Sequence, residues 1–236
     1  MSRRGLTMRQ TDWAAIRALP LFQDVSEEHF AELVHAAFLQ RFPQGMVLIT
    51  EGELPDFLHI VVDGTVELFG SHAGRETTIE IIEPVATFIL AAVIRDEPYL
   101  KSARTLTPAR ILMIPAATVR DVFGRDAAFA RAIVNELAKR YRGIVRALKD
   151  EKLRTGAQRL ANWILHADIR QGGRQQVDLQ FDKRVLASRL GMTPENLSRS
   201  FALLVEHGVK SSGRDIVIED QEALERFARP NVLIDG

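Results

Sequence analysis

Three side chains near the C-terminus have the chemistry needed to distinguish DNA base pairs. Glu195, Ser198 and Arg199 are spaced so that a helix would place them on one face. A carboxylate accepts a hydrogen bond from the cytosine amino group, and a guanidinium donates two hydrogen bonds to guanine O6 and N7. The same residues also suit the solvated face of a helical hairpin, so the neighbouring sequence must discriminate between these two interpretations.

The neighbouring sequence predicts a helix-turn-helix over residues 185–204. Gly191 can adopt the positive φ that ends a first helix. Thr193 is a favourable N-cap for a second helix, and Pro194 suits the first position of that helix. Since the second helix of such a motif enters the DNA major groove, the pattern favours double-stranded DNA as the ligand.

Short strands on both sides extend this motif to a winged helix. Residues 176–181 alternate polar and apolar side chains before it, and residues 216–218 form an apolar run after it. The turn that precedes this last strand would lie beside the phosphate backbone. The predicted DNA contacts are Thr193, Glu195, Asn196, Ser198, Arg199 and Arg214.

Positive charge is concentrated in the part of the chain that carries the motif. The whole chain has 31 Lys and Arg against 31 Asp and Glu, but residues 131–214 have 17 against 8. Because cations that contact phosphates supply much of the affinity for DNA, this distribution supports a DNA-binding function. A basic, solvated helix would show the same imbalance.

Composition narrows the remaining classes. The chain has 236 residues, of which 46% are hydrophobic, and it has no cysteine, so it forms no disulfide and no cysteine-ligated iron–sulfur cluster. No apolar run approaches the ~20 residues of a membrane span. The basic residues at the N-terminus are not followed by an apolar segment. We therefore expect a cytoplasmic protein that does not interact with a membrane.

The N-terminal half predicts helices followed by a roll of β-strands. Residues 11–37 have helical periodicity, and the segment from 41 to 115 contains short strands separated by turns, which is typical of a sandwich or barrel. The clearest strands are residues 47–49, 57–62, 65–69, 77–82 and 110–114. A cupin-like antiparallel β-roll is the predicted fold of this region.

Catalysis is not predicted for this roll. A cupin metal site needs two or three histidines and a carboxylate on neighbouring strands. His59 is the only histidine in a clearly predicted strand, and the chain has no Gly-rich phosphate loop and no nucleophile elbow. We expect a protein that is not an enzyme, and no metal ligand is assigned.

A long helix is predicted between the roll and the winged helix. Apolar residues recur every three or four positions from residue 126 to residue 154, and no proline interrupts them. Such a stripe either packs on the same chain's roll or pairs with a second copy, and we expect a homodimer. The predicted interface residues are Phe129, Ile133, Leu137, Tyr141, Ile144 and Leu148.

These elements define an α+β protein with three segments. We predict an effector-sensing β-roll over residues 1–125, a dimerisation helix over 126–154 and a winged helix over 155–236. In a two-fold dimer, the two recognition helices would lie ~34 Å apart, about one turn of DNA.

The order of the segments resembles the Crp/Fnr family of transcription regulators, over nearly the whole chain. Gly52 and Gly64 fall where turns of that family's roll fall, and residues 158–165 match its helix after the hinge. The spacing Glu195-x-x-Ser198-Arg199 is similar to the Fnr branch, which implies TTGAT-like palindromic half-sites. The resemblance also implies allosteric control by an effector, and a contact with RNA polymerase if the protein activates transcription.

The resemblance implies an effector pocket that differs from that of the cyclic-AMP-binding members. Those members use a glutamate for the ribose, an arginine for the phosphate and a Thr-Ser pair for the adenine. Ala91 and Lys101 stand at the first two positions here, and Ile144 and Val145 replace the pair. Because these changes remove polar contacts, we expect that cyclic AMP is not the effector. The pocket residues implied are Phe88, Leu90, Ala91, Val93, Lys101, Ser102, Ile144 and Val145.

The chain is closest in pattern to the cysteine-less, nitric-oxide-responsive regulators of denitrification. That resemblance makes haem a possible cofactor, for which iron would require an axial ligand such as a histidine. None of the six histidines stands out as that ligand. A small anion, an apolar metabolite and the absence of any ligand are the alternatives.

Overall fold

The computed structural model describes residues 10–236, which form two compact units. The first extends to residue 140 and the second comprises residues 141–236. The long predicted helix is present as α5 (Ala127–Leu153), and the boundary between the units falls within it. The N-terminal α+β roll and the C-terminal helix-turn-helix both agree with the predicted fold class.

The first unit combines a β-roll with helices. Its other helices are α1 (Gln10–Arg17), α2 (Glu27–His35), α3 (Leu90–Arg95) and α4 (Ala116–Arg125). Its strands are β1 (Phe38–Phe42), β2 (Val47–Ile49), β3 (Phe57–Asp63), β4 (Val66–His72), β5 (Arg75–Ile82), β6 (Ala86–Phe88), β7 (Ser102–Thr105) and β8 (Ala109–Pro115). The five predicted strands are confirmed, whereas β1, β6, β7, α3 and α4 were not predicted because they are short or lack a clear period.

The eight strands form two antiparallel sheets of four. One has the order β1-β8-β3-β6 and the other β2-β7-β4-β5. Val61, Leu68 and Phe88 lie between the sheets in one apolar cluster, which is the interior of the roll. Helices α2 and α4 cover the outer face of the first sheet, where Leu58 and Leu112 are buried. The first unit therefore has two apolar cores. One is the interior of the roll, and the other lies between the first sheet and the helices that cover it.

The start of α5 belongs to the second of these cores, which corrects part of the predicted dimer interface. Phe129 and Ile133 are fully buried among the helices of the same unit, and Leu137 packs against them. Phe129 and Ile133 are consequently not accessible to a partner chain, whereas Leu137 is only partly buried. The exposed fraction rises further along α5, to 69% for Tyr141 and 65% for Ile144.

The second unit is built around helix α6. Its remaining elements are α6 (Gly156–Arg170), β9 (Gln176–Asp178), α7 (Lys183–Arg189), α8 (Pro194–Val205), β10 (Val209–Ser212), β11 (Asp215–Ile218), α9 (Gln221–Ala228) and α10 (Val232–Asp235). Strands β10, β11 and β9 form an antiparallel sheet in that order. Strand β9 is shorter than the predicted 176–181, because its partner β11 begins at Asp215, opposite Asp178.

Two glycines of the roll take positive φ for different reasons. Gly52 has φ +87° and open space where a side chain would be, whereas Gly64 has φ +81° and faces the chain before β8. A Cβ on Gly64 would contact the Pro108 carbonyl and lie 2.7 Å from the Cα of Ala109. The turn before β4 therefore needs glycine for space as well as for backbone conformation.

We predict that Gly64→Ala destabilises the protein much more than Gly52→Ala. Both substitutions carry a left-handed penalty of about 1–2 kcal/mol, but only Gly64→Ala adds a clash with backbone atoms. Urea unfolding of the full-length variants, monitored by circular dichroism, would measure the difference in the free energy of unfolding. Equal destabilisation by the two variants would show that close packing at Gly64 has no energetic role.

Candidate DNA-reading surface and effector region

Helix α8 begins at the predicted cap. The Thr193 hydroxyl accepts a hydrogen bond from the backbone N–H of Asn196 at 3.2 Å, and Pro194 occupies the first turn. Gly191 has φ +62° in the preceding turn, as a helix-ending glycine should. The sequence therefore correctly predicted the local structure that positions the start of this helix.

The predicted reading residues lie together on the exposed face of α8. Thr193, Glu195, Asn196, Ser198 and Arg199 are all exposed. The opposite face is buried through the side chains of Leu197 and Leu204. The helix thus presents its polar residues outward while its apolar residues hold it on the domain.

The charge of Glu195 is stabilised at the N-terminus of α8. A hydrogen bond from its own backbone N–H, a second from the Thr193 hydroxyl and the nearby charge of Arg199 lower its pKa. Because an ionised carboxylate is purely an acceptor, this side chain suits the amino group of a base.

A hydrogen bond from α6 fixes the turn of the motif. Arg159 on α6 donates from Nε to the Leu190 carbonyl at 2.9 Å and from Nη1 to the Arg154 carbonyl at 2.9 Å. One side chain on α6 thereby holds both the residue that follows α5 and the residue that follows α7. The recognition helix is consequently supported by a fixed turn rather than by a free loop.

The predicted wing is a two-stranded hairpin, β10 and β11. Gly213 has φ +56° at its tip, and the side chain of Arg214 is 62% exposed, with Nη2 3.7 Å from a carboxylate oxygen of Asp182. The backbone carbonyl of Arg214 accepts a hydrogen bond from Leu179 at 3.0 Å. Arg214 therefore places a cation beside the tip of the hairpin, where its contact with DNA stays a prediction.

A shallow hollow of about 310 Å³ lies beside Ser198, and the sequence did not predict it. Lys183 donates from Nζ to the Ser211 hydroxyl at 2.7 Å and lies over the ring of Phe201 at 4.9 Å from its centroid. The lining is completed by Arg184, Pro194 and Leu197. The hollow therefore adds two cations, Lys183 and Arg184, and the hydroxyl of Ser211 next to the predicted reading residues. Cations and hydroxyls are groups that bind phosphate oxygens.

The effector region differs from the pocket implied by the resemblance. Phe88 lies in the interior of the roll, whereas Leu90 and Val93 are buried in the other core, among the helices. Ile89, with φ +61°, lies between them as the N-cap of α3. Leu90 and Val93 therefore pack the helices and do not line the interior of the roll.

The remaining implied residues have different surroundings. Ala91 is exposed, and the buried Ser102 hydroxyl accepts a hydrogen bond from the Glu51 backbone N–H at 2.9 Å. Lys101 lies 3.7 Å from a carboxylate oxygen of Glu80. Ile144 and Val145 belong to the second unit and are exposed there.

His59 is a buried imidazole within the roll. Its ring stacks on Phe88 with centroids 5.2 Å apart, and its residue is 3% exposed. Burial lowers the pKa of His59 to about 4, against a smaller opposite effect of a hydrogen bond to the Phe57 backbone. The imidazole is therefore neutral at physiological pH.

Two further properties concern the described residues 10–236. They contain no group of three or more histidine, aspartate and glutamate side chains arranged to hold a metal ion. None of their helices combines the length and hydropathy that crossing a membrane requires.

Family models match both halves of the chain. The cyclic nucleotide-binding domain matches residues 39–126, and the Crp-like helix-turn-helix domain matches residues 158–227. These regions correspond to the β-roll of the first unit and to the part of the second unit that contains the helix-turn-helix. The chain belongs to the Crp/Fnr family of DNA-binding transcription regulators.

Individual relatives cover almost the full length. The "CRP-like cAMP-activated global transcriptional regulator" of Mycobacterium tuberculosis is 26% identical, over 89% of this chain and 96% of its own. A regulatory protein of Silicibacter pomeroyi DSS-3 is 30% identical over 94% of this chain and all of its own, with a TM-score of 0.63. DNR from Pseudomonas aeruginosa is 21% identical over 94% of this chain and all of its own, with a TM-score of 0.52, so the likeness concerns the fold alone.

Proposed function

We propose that this protein is a dimeric transcription regulator that reads TTGAT-like palindromic half-sites under the control of an effector in the β-roll. The observation that carries the proposal is the exposed face of α8. Glu195, Ser198 and Arg199 lie together there, while the opposite face of the helix is buried. The curated relative is itself a transcription regulator, which supports a non-catalytic role.

The second half of α5 supports a homodimer. Tyr141, Ile144 and Leu148 follow one another at helical spacing and are 69%, 65% and 53% exposed. Val145 adds a further exposed apolar side chain. Apolar residues at this spacing on an exposed helix face are favourable for pairing with an identical helix. Phe129 and Ile133 take no part in the proposed interface.

The effector is proposed to be something other than cyclic AMP. Ala91 supplies no acceptor for a ribose hydroxyl, and Lys101 already has a carboxylate, that of Glu80, at 3.7 Å. The relative from Mycobacterium tuberculosis is cAMP-activated by name, but the substitution at Ala91 argues against transferring that property.

We expect Arg199→Ala to weaken binding to a duplex that carries two inverted TTGAT half-sites. Loss of the guanidinium should cost ~1–3 kcal/mol per half-site and abolish the preference for guanine at one position. Fluorescence anisotropy at fixed salt, with the matched duplex and a duplex altered at that guanine, measures both effects.

Arg226→Ala is the matched control for this experiment. It removes the same charge from α9 of the same domain, and the Arg226 side chain is 69% exposed. The control should bind the matched duplex like the parent. If Arg199→Ala retains full affinity and guanine preference, Arg199 does not read the base.

Ile144→Glu is predicted to shift the protein from dimer to monomer. A charge in the middle of the exposed stripe would have to be desolvated on pairing, so the dimer dissociation constant should rise by tenfold or more, which is about 1.4 kcal/mol. Sedimentation velocity over a range of concentrations measures this change. Asn135→Glu adds the same charge to an exposed position of α5 outside the stripe and should leave the dimer intact. A dimer unchanged in Ile144→Glu would contradict the proposed interface.

A second candidate is haem-based sensing, and His59 is the residue that favours it. Its neutral imidazole lies in the interior of the roll, and the neutral form is the one that ligates iron. Protein purified with haem supplied should show a Soret band that moves on addition of nitric oxide and is lost in His59→Ala. His72→Ala, at an exposed position in the β4–β5 hairpin, is the control. A colourless parent protein would rule out this candidate.

A further inference from the structure

Three charged side chains of the first unit meet beside the interior of the roll. One carboxylate oxygen of Glu80 lies 3.2 Å from Nη1 of Arg140, and the other lies 3.7 Å from Nζ of Lys101. Each oxygen thus faces a different cation. Glu80 is on β5, Lys101 precedes β7 and Arg140 is on α5, so the three groups come from separate elements.

The strand register explains why Glu80 points toward this place. Glu80 on β5 and Ala103 on β7 are both paired with Leu68, which lies on the central strand β4 between them. Directly opposed residues of an antiparallel sheet point to the same face. Since Leu68 and Ala103 are buried in the interior of the roll, Glu80 shares the inner face.

Arg140 is held by several acceptors at once. Its guanidinium donates to Glu80 and to the backbone carbonyl of Thr87 on β6, and Nε lies 3.2 Å from Glu136 one turn earlier on α5. Its side chain is 21% exposed. Arg140 therefore ties α5 to β5 and β6, and the tie to β5 depends on the Glu80 carboxylate.

We infer that Glu80 is an internal counter-ion that closes an anion site between Lys101 and Arg140 and so excludes phosphate-bearing effectors. This inference rests on the proposed function, in which an effector binds in the roll. It identifies Glu80 as a residue that determines which effectors can bind. A phosphate that binds here must displace the Glu80 carboxylate from both cations. Until the carboxylate is displaced, its negative charge repels the phosphate.

The half-buried position of Lys101 strengthens the effect of this counter-ion. Burial lowers the pKa of Lys101, the charge of Glu80 raises it and the charge of Arg140 lowers it again. Two cations this close repel each other unless an anion lies between them. The Glu80 carboxylate is the anion that neutralises the two cations in this protein. Without that carboxylate, an external anion would be needed to neutralise them.

Removal of the Glu80 charge should therefore open the site. We predict that full-length Glu80→Gln binds inorganic phosphate and cyclic AMP at least tenfold more tightly than the parent, measured separately by isothermal titration calorimetry. The double variant Glu80→Gln with Lys101→Met should lose this gain, because one of the two cations is then absent.

Glu76→Gln is the matched control, since Glu76 is on the same strand and pairs with Arg104 instead, at 2.8 Å. It removes the same charge and should leave phosphate binding as in the parent. An equal gain in Glu76→Gln would show a general charge effect and overturn the inference. So would a folded Glu80→Gln that binds neither probe more tightly.

Glu80→Asp covers the case in which Glu80→Gln fails to fold. The shorter side chain keeps the charge but reaches the two cations less well, so a smaller gain in phosphate affinity is expected, and no gain would contradict the inference. DNA binding of each variant is measured in parallel. A parent protein that does not bind DNA would contradict the proposed regulator function. If the parent binds DNA but calorimetry shows no gain in phosphate affinity, only the counter-ion inference is contradicted.

Discussion

The hydrogen bonds that Asp126 accepts determine how the long helix begins. One of its carboxylate oxygens accepts from the backbone N–H groups of Ala128 and Phe129 at 2.9 and 2.8 Å. The other accepts from the Ser26 N–H at 3.1 Å and lies 2.9 Å from Nδ1 of His29. Burial raises the pKa of Asp126, but these hydrogen bonds outweigh it and hold the pKa well below its ordinary value. A single ionised side chain thus caps α5 and joins it to the start of α2.

The position of this cap determines which part of α5 the roll retains. Phe129 and Ile133 enter the core of the first unit directly after it, and Arg140, two turns beyond Ile133, donates hydrogen bonds to β5 and β6. The apolar residues that follow, Tyr141 and Ile144, are exposed. Because α5 is one continuous helix, the proposed effector control would act along it. The same helix is therefore suited both to packing the roll and to the proposed dimer.

Local signals made much of this fold predictable from the sequence, and long-range packing accounts for what was missed. The cap at Thr193, the glycine at Gly191 and the exposed face with Arg199 depend on residues near one another in the chain, and each is present as predicted. The stripe on α5 was predicted correctly as a helix, but its period alone cannot show that the side chain of Phe129 is covered by the same chain. Similarly, no local pattern joins Glu80 to Arg140 across 60 positions, since that contact exists only once the sheet has formed.

The arginines of the roll and Arg199 on the recognition helix α8 differ in whether a carboxylate of the chain neutralises them, and this difference affects what each region can bind. In the roll, Arg104 donates to the buried Glu67 at 2.6 Å, and Arg140 is matched by Glu80. On α8, Arg199 is exposed to solvent. A cation that reaches DNA releases the counterions of the phosphates it meets, whereas a cation paired inside the chain must first lose its carboxylate. The proposed DNA contact and the proposed counter-ion at Glu80 thus rest on the same physical difference, an exposed cation on α8 and a paired one in the roll.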